Sequence, residues 1–522
     1  MSYLSLKFAV FLAVLLCLYY LAPKLWMKQG ILLAGNIVFC WSAGRSALII
    51  VMGTTLVAYG AARLIERKYA GYEKVKAELP LKKRIELFNA YKKRCRIYLY
   101  AAVLLMVGIF TYVKIGRYLG WKVSGFHGFS FGKSVIVPIG ISYYTFMLIG
   151  YVLDVYWDRG KVQHNYLKFL LCVTYFPHIV SGPFGRLDKL AEQFDQLPRF
   201  EYRRFCFGMQ LALWGLFKKL IIAEGLHIYI STVTASIMDY AGLEIAIALI
   251  FSVIYSFTDF SGCMDIVRGI SQAVGVELDE NFRQPFFSKN ISEFWRRWHI
   301  TLGTWMRDYI FIPITRDRRF RRKGQAIAQK SRVAGILFNV GIPSVLAWLF
   351  SGAWHGTGIS FFLWGVYYTV LLVFSQILEP VFDTLCVRLH IDKASRSFSA
   401  WQSIRTVGLF CIGSSLTFDG SVSGFVTLWK QLLSEARLWV LFDGSLFNYG
   451  LSRQKFLMVL VCFAVLMLVE TLKERGVYLR KTIAAKPVIL RWCIYYALIF
   501  AIIIFGFYGP GYDAADFIYA GF

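Results

Sequence analysis

Charged residues are scarce along this 522-residue chain, and acidic ones are scarcer still, with 31 Asp and Glu against 58 Lys and Arg. Charged side chains make up 17% of the sequence, where an average soluble protein carries about a quarter. No two cysteines stand in a C-x-x-C spacing, and several of the ten lie inside apolar runs (Cys17, Cys172, Cys411, Cys462). That argues against a disulfide framework and against a zinc ribbon. No G-x-S-x-G stretch supplies a nucleophile elbow. No His/Cys/Asp grouping has metal-ligand spacing, so no metal is expected. Internal repeats and low-complexity tracts are missing. So is any polar stretch long enough to hold a soluble core of its own.

What the chain does have is apolar length. Hydrophobic residues make up 57%, and they come in continuous runs near the roughly 20 residues that a membrane span needs. Continuous runs argue for a helical bundle over a barrel, whose strands would alternate. The expected fold is all-α and polytopic, with about 11–13 membrane helices. Spans are expected near 5–23, 31–43, 46–62, 97–116, 135–157, 166–183, 205–223, 243–258, 333–350, 359–378, 403–418, 455–471 and 488–508. In the first, Phe8 to Ala22 is apolar after Lys7, and "YLAPKLW" offers a poor cleavage site, so it reads as a retained span.

The net charge of +27 comes largely from three connections. Residues 63–96 hold twelve Lys/Arg against four acids, residues 316–332 eight against one, and residues 473–491 six against one. On the positive-inside rule all three face the cytoplasm. Topology thus accounts for the charge without nucleic acid. Anionic head groups or an anionic cofactor would be a second use for the same loops.

Residues 285–315 differ from the rest: "PFFSKNISEFWRRWHITLGTWMRDYIFIPIT". On a helix from Ile291 to Tyr309, the residues Ile291, Phe294, Trp295, Trp298, Leu302, Trp305, Met306 and Tyr309 share one stripe. Ser288 or Asn290 would cap its start. Three tryptophans suit a membrane–water boundary, so an amphipathic interfacial helix is expected. His299 lies at the edge of that stripe. It reads either as a packed histidine bonded to a backbone carbonyl or as a functional group.

Ionisable residues inside apolar runs are functional candidates because their isolation there is costly. Asp154, Asp259, Asp265 and His178 qualify, each with the bland alternative of a structural partner. His355 stands in "SGAWHGTG", between two helix-length apolar runs. Gly352, Gly356 and Gly358 permit tight turns or close approach, and would leave room for reactants to meet. A buried imidazole stays neutral near pH 7 and can take a proton from a hydroxyl. That suits acyl transfer from a thioester to an alcohol with no serine nucleophile.

Together, "FTDFSGCMDIVRG" (257–269), "ENFRQPFFSKNISEFWRRWHITLGTWMRDYIFIPI" (280–314), "SGAWHGTGISFFLWG" (351–365) and "YGPGYDAADFIYAGF" (508–522) resemble the membrane-bound O-acyltransferase family. "FPHIVSGP" (176–183) is a looser match. The likeness is to the bacterial alginate O-acetyltransferase branch. It implies a single domain over 1–522, with a core at about 135–420, N-terminal helices in 1–134 and C-terminal helices in 421–522. It implies a ring of helices around a central funnel or tunnel. His355 and His299 match the family's two characteristic histidines. Trp305, Arg307, Asp308, Trp354 and Asp259 would line the donor tunnel. No bound cofactor is implied. Acetyl-CoA would be the donor, or alternatively a phosphopantetheine-loaded carrier protein in a teichoic acid D-alanyltransferase. The acceptor would be an extracytoplasmic polysaccharide, reached through a periplasmic or surface acyltransferase partner. The setting would be the lipid bilayer of a bacterial cell membrane.

The resemblance has departures. Cys263-Met264 stand where the family often has Tyr-Ser, His178 where it usually has Gln, and "TRDRRFRRKG" where a Gly-Gly turn is common. A different class, an ion-coupled transporter, would use Asp154, Asp259 and Asp265 as its path. The paired broken helices and inverted repeats of such proteins are not detected.

Overall fold

The computed structural model describes residues 1–76, 79–118, 140–180, 182–356 and 358–508. Regular structure among them is helical, apart from one isolated bridge between Phe282 and Trp298. The all-α, multi-pass expectation holds. Among the described residues, eight helices are long and apolar enough to cross a membrane, by length and composition. They are Arg45–Lys76, Leu81–Val113, Tyr202–Ala235, Leu243–Val274, Arg332–His355, Ile359–Arg388, Arg453–Glu474 and Val488–Phe505.

The other expected spans are shorter, broken or, as in the unbroken 20-residue helix Arg396–Ser415 at 403–418, outside the eight by composition. Leu6–Leu21 has 16 residues and stops before Pro23. The span expected at 135–157 appears as Ile141–Tyr156, with 135–139 outside the described residues. Asp154 sits half-buried in its last turn. The span expected at 166–183 splits into Tyr166–Thr174 and Phe176–Ile179. Pro177 lacks an N–H, and its ring would clash with the carbonyl four residues back, so the first helix cannot run through it. Asn36 stabilises the break, since its Oδ1 accepts the freed Phe176 N–H at 3.0 Å.

The chain divides into two compact units. The first holds Met1–Met209 with Val267–Asp279. Within it the later segment is tied to the N-terminal helices by tyrosines. Tyr19 donates to the Val274 carbonyl at 2.9 Å, and Tyr175 and Ser271 share a hydrogen bond at 3.0 Å. His178 has the bland fate, because its Nε2 donates to the Cys172 carbonyl at 2.8 Å.

The second unit holds Gln210–Ile266 with Glu280–Ile518, and both candidate histidines belong to it. Three wide π turns mark its helices, at Lys218–Ala223, Arg307–Phe311 and Leu337–Gly341. Two of them have a common cause. Pro313 and Pro343 each follow such a turn, and the carbonyl each ring would strike belongs to Tyr309 or Asn339, the middle residue of the turn. Widening the winding there moves that carbonyl aside. Arg332–His355 therefore continues through Pro343 as one helix. The remaining turn, Lys218–Ala223, sits where Gly215 meets the neighbouring helix. A Cβ on Gly215 would stand 2.5 Å from the Gly262 carbonyl oxygen, so only glycine permits this approach.

Candidate active site

The interfacial segment departs from the single helix its stripe predicts. It runs as Ile291–Arg297 and Ile300–Met306, broken at His299, which has φ 46° and ψ 51°. Asn290, one of the two expected caps, starts the first piece by accepting the Glu293 N–H at 2.8 Å. The break is stitched by Asn281 and Arg283, which precede it in the chain. Arg283 N–H donates to the Arg297 carbonyl at 2.9 Å, and Ile300 N–H to the Asn281 carbonyl at 3.0 Å. Asn281 Oδ1 accepts both Thr301 N–H at 3.0 Å and Thr301 Oγ at 2.6 Å. These bonds hold a non-glycine residue in the left-handed region, a cost of about 1–3 kcal/mol that marks functional sites more often than others.

The stripe itself survives. Ile291, Phe294, Trp298, Leu302 and Trp305 are buried. Aromatic contacts pin them to other helices of the same unit. Trp295 lies 4.8 Å from both Trp348 and Tyr368, and Phe294 lies 4.3 Å from Phe410.

His299 is 3% exposed. Its ring meets Phe260 edge-on at 4.8 Å and Trp354 at 5.8 Å. Burial holds its pKa well below the usual histidine value, and a charge on His355 lowers it further. His355 is the last residue of Ile342–His355, and its ring lies 4.5 Å from Trp354 and 5.2 Å from Trp364. Trp354 is 2% exposed. Two histidines far apart in sequence thus meet on one buried indole.

The other expected lining residues divide. Trp305 stacks on Phe350 at 5.5 Å, which ties the second interfacial helix to the helix carrying His355. Arg307 and Asp308 lie on the following π turn and pair with each other, Arg307 Nε donating to Asp308 Oδ1 at 2.9 Å. Asp259 is fully buried, and its carboxylate is 2.5 Å from Lys219 Nζ.

Lys219 also binds Glu224 at 2.7 Å, while its neighbour Lys218 binds Asp265 at 2.7 Å and donates to Ser261 at 2.9 Å. Sequence reasoning named both aspartates and missed both lysines. The signal was present, since "LFKKLIIAEG" places two cations and an acid inside an apolar run. Asp259 does reach the histidine indirectly: it adjoins Phe260, whose ring touches His299.

The glycines of "SGAWHGTG" need a correction. They do not hold space open. A Cβ on Gly352 would stand 2.3 Å from the Phe361 carbonyl oxygen, and one on Gly356 would overlap the Phe361 ring. They permit the next helix to cross close by. Thr357 lies outside the described residues, as do Ser181 of the 176–183 motif and the 508–522 motif beyond Tyr508.

Residues 134–329 match the family described as MBOAT, membrane-bound O-acyltransferase. A probable alginate O-acetylase of Pseudomonas aeruginosa is 30% identical over 374 residues, 71% of this chain and 64% of that protein. Residues 134–329 are thus a membrane-bound O-acyltransferase region. A peptidoglycan O-acetyltransferase of Helicobacter pylori is 30% identical over 322 residues, 54% of this chain and 55% of the relative. A teichoic acid D-alanyltransferase of Bacillus subtilis is 29% identical over 241 residues, 46% of this chain and 59% of the relative. The chain spans less than two thirds of each of these relatives. The matched family region contains His299, Trp305 and Asp259 and ends before His355.

Proposed function

We propose that the protein is an O-acyltransferase that carries an acyl group, an acetyl group in the favoured reading, from a cytoplasmic thioester to a hydroxyl of an extracytoplasmic polysaccharide. The observation that carries this reading is the meeting of His299 and His355 on Trp354. Family membership gives the reaction type. The alginate-type relative, with 71% of the chain aligned, supports acetyl over D-alanyl, for which the Bacillus relative aligns with 46%.

In the proposed step, His355 in its unprotonated form accepts the proton of the acceptor hydroxyl as that oxygen attacks the thioester carbonyl. The C–S bond breaks, and the imidazolium returns the proton to the departing thiolate. General-base help of this kind contributes about 10²–10⁴-fold. His299, neutral and buried, adds no positive charge against the imidazolium that forms on His355. Trp354 sets the spacing of the two rings. Trp305, Arg307 and Asp308 belong to the donor side. We place the protein in a bacterial cell membrane, working with a separate periplasmic or surface acyltransferase that receives the acyl group or presents the polysaccharide.

The test uses purified protein with labelled acetyl-CoA and, separately, with D-alanyl carrier protein. Acetyl transfer that disappears in His355→Ala, at normal expression and melting temperature, supports the reading. Full transfer by that variant refutes the mechanism. Transfer from the D-alanyl carrier alone reassigns the substrate.

A further inference from the structure

Helix Arg318–Lys330 carries an arrangement that its own stability does not favour. Arg318, Arg319, Arg321, Arg322 and Lys323 crowd its first six residues, and Lys330 ends it. All six are exposed. Cations at a helix N-terminus oppose the helix dipole, and cations packed this closely repel one another. Asp317 is the acid of this stretch, and its carboxylate is used as the cap, accepting Arg319 N–H and Phe320 N–H at 2.9 Å each. Among the described residues, none of the six cations is paired with an acid.

The opposite face of this helix is tightly seated. Phe320 stacks on Phe338 at 4.6 Å. Asn339 Nδ2 donates to the Gly324 carbonyl at 3.2 Å, and a Cβ on Gly324 would stand 1.7 Å from Asn339 Oδ1. A Cβ on Gly335 would stand 2.7 Å from the Ala328 Cα. These contacts pair residue 320 with 338, 324 with 339 and 328 with 335, so the two helices form an antiparallel hairpin about Ser331. The cationic helix therefore runs back along the first turns of the span Arg332–His355.

That span exposes apolar side chains from its start: Val333 at 46%, Leu337 at 50%, Ile342 at 41% and Leu346 at 48%. The stripe keeps one direction because the π turn shifts its spacing between Leu337 and Ile342. A stripe of this kind faces hydrocarbon. The cationic helix therefore lies at the rim of the bilayer, where bare charge is costly and long basic side chains extend to the interface. The negative charge available along such a rim is that of lipid phosphates. The six cations are exposed, whereas Phe320, Gly324 and Ala328 make the contacts to the helix that carries His355.

We propose that Arg318–Lys330 is a docking surface for anionic phospholipid head groups, which fix the start of the His355 helix at the membrane surface. The inference stands on charge, seating and exposure, and holds whichever acyl group the protein transfers.

The test is native mass spectrometry of the full-length protein in detergent, supplied with phosphatidylcholine or with phosphatidylglycerol. Wild type should retain phosphatidylglycerol more than about ten-fold better, given the attraction that each basic residue adds near an anionic surface. Substituting Arg318, Arg319, Arg321 and Arg322 by Gln should abolish the preference at an unchanged melting temperature, and substitution by Lys should keep it. In wild type alone, added salt should weaken the preference, a result that does not depend on any variant folding. Equal retention of both lipids, or full preference in the Gln variant, overturns the proposal. So does displacement of the lipid by inorganic phosphate or CoA, which would make the face a soluble-phosphate site.

Discussion

The rings of His299 and His355 share one partner, the indole of Trp354, at 5.8 and 4.5 Å. Under the proposed mechanism the two histidines do different work, and substitution should separate them. His355→Ala removes the proposed base, so transfer should fall by about 10²–10⁴-fold with the fold intact. Labelled-acetyl transfer measured beside a thermal melt checks both halves. Loss of melting temperature in step with activity would point to packing instead.

His299 carries a pH signature. Its folded pKa lies well below the usual value, because burial and then a charge on His355 both disfavour the protonated ring, while an unfolded histidine titrates at about 6.5. Below about pH 6.5 the unfolded chain binds a proton that the folded site refuses, so stability falls as pH falls. Melting temperature should drop between pH 7.5 and 5.5, and His299→Asn should flatten that slope. A slope unchanged in the variant would remove His299 as its source.

Lys219 should be structurally costly to lose. Lys219→Met leaves Asp259 and Glu224 buried without their shared cation, a change of the kind that costs about 3–5 kcal/mol. Adding Asp259→Asn should recover part of that loss, because it removes one of the two buried carboxylate charges that share Lys219. Denaturation of the single and double variants in one detergent measures the coupling. Additive losses would mean that the pair contributes nothing as a pair.

Local pattern carried much of this molecule, and its failures share one physical source. The spans that met the length and hydropathy test were legible because each needs only its own residues. His355 and His299 were singled out because their surrounding blocks resemble a family. The break at His299 was not legible: the apolar stripe continues across it at spacings of three and four, and one residue at φ 46° leaves no mark on that period. Its cause is the distant strap Asn281–Arg283. Asp259 drew notice as an isolated charge, whereas its cation lies forty residues earlier, on a π turn that no propensity announces. The glycines of 351–358 were read correctly as sites of close approach and wrongly as open room, because Phe361 fills that room from the next helix.

Gly352 therefore offers a sharp test of how the site is held. A methyl group there meets the Phe361 carbonyl oxygen, which is backbone and cannot swing away. The helices Ile342–His355 and Ile359–Arg388 must separate, and Trp364, which faces His355 from the second of them, moves too. Gly352→Ala should cost about 1–3 kcal/mol by overpacking and lower transfer as well. Gly408, with open space around its Cβ position, is the matched control. Gly408→Ala should leave the melting temperature at or slightly above wild type, since alanine favours helix over glycine. A neutral Gly352→Ala, in melting and in transfer, would show that the crossing of these helices is looser than the 2.3 Å approach requires.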